Sequence, residues 1–348
     1  MAPPLNQSNW IYGIGDTPMS NYTDDGSPPA ELIKFVTTDQ QSAKYTVNTA
    51  NNEGQSTGTD WGTEQWIESH DAEIPFSIDP TMLMLTRLLL AAFGQKVTTS
   101  PTAGVTKNVF TPQDAASRQL PVYWMGEQCG DRHDALYPSC MLEKATFKGE
   151  ESGKLNVAGN FRGSGQQLLG EDVDIVKETG KYYLKNTMSE IARALAATPN
   201  TVAKTYACGL QSFMFDVDNA ADQKVGYDPG CKRFFTANDP DSGQIRSYHL
   251  FGKRKYGSKY VIWLEDSAPE LALLRAQTEL NLKMGMYGKT ITGAYKNMFE
   301  IVMHLAFYKS VDLGSKNGFT TLEISPDAFY NEADNKIVSV TTQYATPA

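Results

Sequence analysis

Residues 299–308 read Phe299-Glu-Ile-Val-Met-His-Leu-Ala-Phe-Tyr308. Phe299, Ile301, Met303, Leu305 and Phe307 recur at every second position, and Glu300, Val302, His304, Ala306 and Tyr308 fill the positions between. Successive side chains of a β-strand point to opposite faces, so this is a long strand with one strongly apolar face. Working outward, Leu280, Leu282, Met284 and Met286 alternate with Glu279, Asn281, Lys283 and Gly285. Leu155, Val157, Gly159 and Phe161 alternate in the same way with Lys154, Asn156, Ala158 and Asn160. Thr320 to Ile324 and Lys336 to Tyr344 supply two closing strands. With 28 Gly and 17 Pro as punctuation, and Tyr, Phe, Thr and Val in short runs, the chain is expected to be mainly β.

Helical signals are fewer. Asp79-Pro80 opens the clearest one, because Asp can accept from free first-turn amides and Pro suits the first position; Gly94 closes it. The helix, 81–93, is apolar nearly all round, which predicts burial against a sheet or a neighbouring chain. Thr187 and Glu190 form a capping box and predict a second helix that fades at Pro199. Ser267-Ala-Pro269-Glu opens a third, carrying Leu271, Leu273 and Leu274. The stretch from Gly94 to Leu120, full of Thr, Pro and Gln, reads as a long loop.

One plan is expected to occur twice. In the first half a strand (Glu73 to Ile78) leads into a helix, and a hairpin follows, Leu142 to Gly149 and Lys154 to Phe161, turning at Glu150-Glu151-Ser152-Gly153. In the second a strand (Tyr260 to Leu264) leads through Ala268-Pro269 into a helix, and a hairpin spans Thr278 to Ser310. Leu155-Asn156-Val157 with Gly163 is echoed by Leu280-Asn281-Leu282 with Gly288 at the same spacing. The expected division is an N-terminal arm or extended leader over 1–60, a first β domain over 61–200 and a second over 201–348. Residues 1–60, rich in Asn, Thr, Gly and Pro, hold too little apolar surface to bury much alone. They are read as an arm that orders on a neighbour or as a partly ordered leader.

Among 348 residues, 31 Lys and Arg face 40 Asp and Glu, a net charge of −9. This excludes a protein that grips duplex nucleic acid through a basic stripe, and the longest basic run is only Lys253-Arg254-Lys255. At 41% apolar and 20% charged residues the chain can fill a core. The apolar runs Met82 to Leu85 and Leu88 to Phe93 fall short of the roughly 20 residues of a membrane span. The opening Met1-Ala-Pro-Pro-Leu-Asn-Gln does not read as a signal peptide, so the four cysteines are expected as reduced thiols made in the cytoplasm. Cys129, His133 and Cys140 lie close together, with Cys208 and Cys231 further on. None forms a Cys-x-x-Cys pair, so small buried side chains are preferred over zinc ligands.

No motif carries catalysis. Gly285-Met-Tyr-Gly288-Lys289-Thr290 looks like part of a phosphate loop, but Lys283 stands where the motif needs a glycine, and the segment joins two strands. Gly163-Ser-Gly165 lacks a third spaced glycine. Asp216-Val-Asp218-Asn219 and Asp239-Pro-Asp241-Ser-Gly243 lack the terminal Glu of a helix-loop-helix calcium site and read as turns. The histidines at 70, 133, 249 and 304 are scattered, and no serine occupies a nucleophile elbow. No catalytic, cofactor or metal residue is assigned.

A family resemblance rests on a succession of segments. They are Trp66-Ile-Glu68, Ile74-Pro-Phe-Ser-Ile-Asp79, Leu88-Leu-Leu-Ala-Ala-Phe-Gly94, Gln119-Leu-Pro-Val122, Cys140-Met-Leu-Glu-Lys-Ala-Thr-Phe-Lys148 and Leu155-Asn-Val-Ala-Gly159. Their order resembles the tail tube (major tail) proteins of long-tailed bacteriophages, and 208–344 is similar to the later strands of that family. The resemblance is a pattern of apolar positions and turns over roughly 60–345.

The resemblance implies a β-sandwich or barrel-like tube domain with short flanking helices, here internally duplicated. Hairpins would join three or six copies into a ring with a continuous inner β-barrel. Rings would stack around a tape-measure protein, between tail-tip and terminator proteins, into a virion conduit that DNA traverses without specific binding. Lys154, Asn156, Ala158, Asn160, Glu279, Asn281 and Lys283 are then the lumen-facing candidates. The two lysines require paired acids if the wall is to repel DNA, with Glu150 and Glu151 in the turn as a further acidic source. Trp10, Tyr12, Glu150, Glu151, His304 and Tyr308 are the inter-subunit candidates, and 94–120 is expected at an inter-ring contact. Two other readings stand beside this one. One is a tail-tip or baseplate ring protein of the same fold. The other is an acidic β-sandwich module binding carbohydrate or a cell surface through Trp61, Trp66, Trp124 or Trp263.

Overall fold

The computed structural model describes residues 10–19, 28–35, 43–51, 65–113, 120–129, 133–150, 153–163, 167–170, 174–178, 182–185, 189–206, 209–224, 248–251 and 253–346. The chain is mainly β. Its first strands are β1 (Trp10–Ile14), β2 (Glu31–Phe35), β3 (Lys44–Asn51) and β4 (Gln65–Ile78), followed by helix α1 (Met82–Phe93). Next come β5 (Gly94–Thr102), β6 (Val105–Pro112), β7 (Tyr123–Cys129), β8 (Asp134–Glu150), β9 (Leu155–Gly163), β10 (Leu168–Leu169) and β11 (Asp174–Val176). Then follow β12 (Ser189–Leu195), β13 (Val202–Tyr206), β14 (Leu210–Asp218), β15 (Ala221–Lys224), β16 (Tyr248–Phe251) and β17 (Lys255–Trp263). Helix α2 (Ala268–Ala276) precedes β18 (Leu280–Thr292), β19 (Tyr295–Lys316), β20 (Phe319–Phe329) and β21 (Val338–Ala345).

Two stretches of antiparallel pairing share β19. Its first half lies between β18 and β21, and its second half pairs with β20. One stretch runs β4-β9-β8-β14-β17-β20 and ends on that second half. The other runs β13-β12-β18-β19-β21-β6-β5. Their apolar faces meet. Phe147 of β8 lies 5.9 Å from Phe299 of β19, ring centre to ring centre, and 6.3 Å from Phe215 of β14. Leu280, Leu282, Met284, Met286, Phe299, Ile301 and Met303 are all buried in this one core.

Helix α1 fills the core with Met84, Leu85, Leu88, Leu89 and Phe93 and packs on β5, β6, β8 and β21. Its cap is Thr81, whose hydroxyl accepts from the Met84 amide at 3.2 Å; Asp79, the expected cap, instead accepts from Asn156. Gly94 ends the helix at φ +85°, a left-handed conformation that glycine adopts without steric cost. No helix among the described residues is long and apolar enough to cross a membrane.

Several expectations are corrected. The helix expected over 187–199 gives way to a strand from residue 189: 189–195 is strand β12, held by ladders to both β13 and β18, and this pairing outweighs the helical propensity of Glu, Ala, Arg and Leu. The stretch 94–120 is not a long loop, because β5 and β6 form a hairpin within it. The hairpin that follows α1 is therefore β5–β6, and β8–β9 comes later. Position 200 is no boundary, since β12 and β13 pair across it and β14 of the second half pairs with β8 of the first. Nor is the described part of 1–60 a free arm. β1 pairs with β7, β3 with β4, and Tyr12 and Ile14 are buried.

Candidate functional site

The outer face of the β13-to-β5 stretch carries Ala192, Lys283, Val302 and Ser339 in one row across β12, β18, β19 and β21. Below the apolar alternation of β18, Lys283 pairs with Glu300 at 2.7 Å, and Glu300 also accepts from the Tyr287 hydroxyl at 2.8 Å. Asn281 is buried and donates to the His304 carbonyl. Glu279 is exposed at the entry to β18. The other candidate set lies on the outer face of β9. Lys154 is 3.9 Å from Asp79 and 4.4 Å from the centre of the Tyr183 ring. Asn156 donates to Asp79 and Asn160 to Glu143, while Ala158 is half-buried opposite Thr146 and Ser77. Both lysines thus have carboxylate partners. The two sets lie on faces turned away from the core that β8 and β19 share.

The inter-subunit candidates divide. Tyr308 is buried, with its hydroxyl 2.9 Å from that of Tyr260 and donating to Glu270 at 2.8 Å. The reason is a β-bulge: Leu282 faces Met303 but Leu280 faces Ala306, so the alternation of β19 flips parity between them. Leu305 and Phe307 turn outward, and Tyr308 turns in. Tyr12 is also a core residue, and burial with nearby Glu127 raises its pKa. His304 is half-buried and bonded to Ser339 (2.9 Å) and Asp334 (3.1 Å). Glu150 is exposed beside Lys148, which lowers its pKa. Trp10 places its backbone opposite Cys129; Glu151 lies outside the described residues.

Two buried polar clusters escaped the sequence reading. Glu270, in the first turn of α2, is buried against Arg193 (3.1 Å), Tyr206 and Tyr308. Glu127 accepts from Tyr137 (2.6 Å), meets His133 at 3.1 Å and takes the Ala43 amide at 3.3 Å, so it ties β3 to β7 and β8. Nothing local marks Glu270, whose partners lie far away in sequence, and Glu127 meets His133 and Tyr137 only because β7 and β8 pair as a hairpin. Cys129 and Cys140 are free and buried, and the Cys140 thiol is pushed up by burial; Cys208 and Cys231 lie outside the described residues. No group of three or more metal-ligating side chains occurs among the described residues. Gly288 belongs to packing against Tyr182, whose hydroxyl accepts from the Lys289 amide. Trp124 is buried in the core and Trp263 meets Phe319 edge-on.

Edges are the least satisfied feature. Among the described residues β5 pairs only with β6, nearly all of it is exposed, and Val97 is 63% exposed. At the other end β13 pairs, among the described residues, only with β12, with Val202 at 54%. No family model matches the chain, and no curated protein matches it.

Proposed function

We propose that this chain is a structural subunit that acts by self-assembly, without catalysis or cofactor, as a tail tube protein of a bacteriophage virion. The observation that carries the reading is that, among the described residues, β5 and β13 are the open edges of one seven-strand stretch whose inner face closes a core. An exposed strand edge with apolar side chains is an aggregation hazard in a monomer, and joining copies edge to edge removes it. Every pairing between β13 and β5 is antiparallel, so the two edges run in the same direction. Rotation about a ring axis then brings β5 beside β13 of the next copy as a parallel pair.

In this reading the two stretches are the layers of a β-sandwich, the β18–β19–β21–β6 layer lines the ring, and Lys283 faces the passage, with Asn281 buried beside it. Neutralisation of Lys283 by Glu300 leaves DNA no free cation on that row, in keeping with passage without binding. The family resemblance supplies the tape-measure, tail-tip and terminator proteins as partners. A tail-tip or baseplate ring of the same fold would use the same edges. Negative-stain microscopy of concentrated protein tests the proposal: stacked rings with three-fold or six-fold symmetry are expected, and a persistent monomer would sink it.

A further inference from the structure

The two ends of β18 carry opposite chemistry. Beside its first residue, Leu280, lies a surface cavity of about 400 Å³ between the β12–β13 turn, β18 and the loop after β20. Ala196, Ala197, Leu305 and Tyr330 form its wall, and Glu279 and Glu332 are its charged groups. Both carboxylates are exposed, and among the described residues neither meets a cation. Lys336 of the same loop does not line the cavity. Tyr330 is 53% exposed and Leu195 at the rim 45%, so the surroundings are apolar as well as acidic.

At its other end β18 turns through Gly293 into β19, and the tip carries Lys289 and Lys296, both exposed. Their ammonium groups meet no carboxylate among the described residues. Ile291 and Tyr295, half-buried, give the tip an apolar component. At 13 residues and about 3.3 Å per residue, β18 separates tip and cavity by roughly 40 Å. One molecule therefore cannot join its own ends.

We infer that the β18–β19 tip of one copy docks into the Glu279/Glu332 cavity of a second copy stacked along the strand axis. The lysines complete the two carboxylates while Ile291 and Tyr295 cover the Ala196, Leu305 and Tyr330 wall. This rests on the assembly reading above and adds to it the axial contact and its polarity: basic tips enter acidic cavities, so copies stack head to tail. Two like ends repel, and a stack grows in one orientation.

Charge exchange tests it. Lys289→Glu with Lys296→Glu, and separately Glu279→Lys with Glu332→Lys, are expected to leave rings intact and to raise the concentration at which stacks form by at least about tenfold. Combining all four substitutions restores stacking, because the pairs are re-formed with reversed sign. Raised salt weakens wild-type stacks, since these rim charges are open to screening. Normal stacking by both reversed variants, or failure of the fourfold variant to recover while its rings persist, overturns the docking and leaves the tube reading standing. Wild-type protein that forms neither rings nor stacks overturns both.

Discussion

Glu270 shows how one side chain commits distant segments to each other. Its carboxylate enters from α2 and binds Arg193 of β12, Tyr206 of β13 and Tyr308 of β19. Glu270→Ala leaves the guanidinium buried without its counter-charge, and chemical denaturation should show a loss of about 3–5 kcal/mol. Replacing both partners, Glu270→Leu with Arg193→Met, should recover most of it; a double variant as unstable as the single one would show that the charge pair is not the cause. Gly159 is a second such point. A Cβ there would stand 2.3 Å from the Lys144 carbonyl oxygen and 2.9 Å from the Phe76 ring, whereas one on Gly257 meets nothing within 4 Å. Gly159→Ala should therefore cost about 1–3 kcal/mol, while Gly257→Ala stays within about 0.5 kcal/mol of wild type. Equal effects would refute the steric account.

Among the elements, β5 behaves least like part of a finished monomer. Its alternate side chains Gln95, Val97 and Thr99 all remain exposed, so the fold gains little from them. Val97→Lys with Thr99→Lys should leave the melting temperature nearly unchanged and abolish rings in microscopy, because charge on an edge strand opposes pairing with another chain. Rings of normal size from this variant would move the subunit contact elsewhere. The helix expected over 187–199 carries a related lesson. Ser189 to Leu195 has good helix formers and a cap signal, yet β18 offers an unpaired edge at that place, and two ladders there stabilise more than an isolated short helix.

At the scale of the whole molecule, tyrosines are the largest set of buried titratable groups among the described residues. Burial raises the pKa of Tyr12, Tyr123, Tyr137, Tyr206, Tyr260 and Tyr287, and pushes Tyr256 up from 10.0 to about 12. The folded state thus favours the neutral phenol more than the unfolded chain does. This stability is fully present below pH 10 and is lost as pH rises through about 12. Followed together, tyrosinate absorbance and far-ultraviolet dichroism should show a steep step in which the buried tyrosines ionise as the fold is lost; ionisation of every tyrosine with the fold intact would contradict the burial.

The sequence by itself determined the strands that alternate. Leu280 to Met286, Phe299 to Met303 and Leu155 to Phe161 each have one face that must leave water, and period two is a local property readable from neighbours along the chain. It also determined α1 and α2, whose stop and start signals lie within a turn of their ends. Only the tertiary structure decided the rest. That β6 lies beside β21, that β8 joins β14, and that a bulge in β19 turns Tyr308 inward all depend on residues far apart in sequence. The candidate site followed the same division. The polar rows of β9 and β18 were legible as alternation, but their place on faces turned away from the core, the ion pair of Lys283 with Glu300 and the open edges of β5 and β13 follow from which strands pair across the core. No spacing within a single strand encodes that choice.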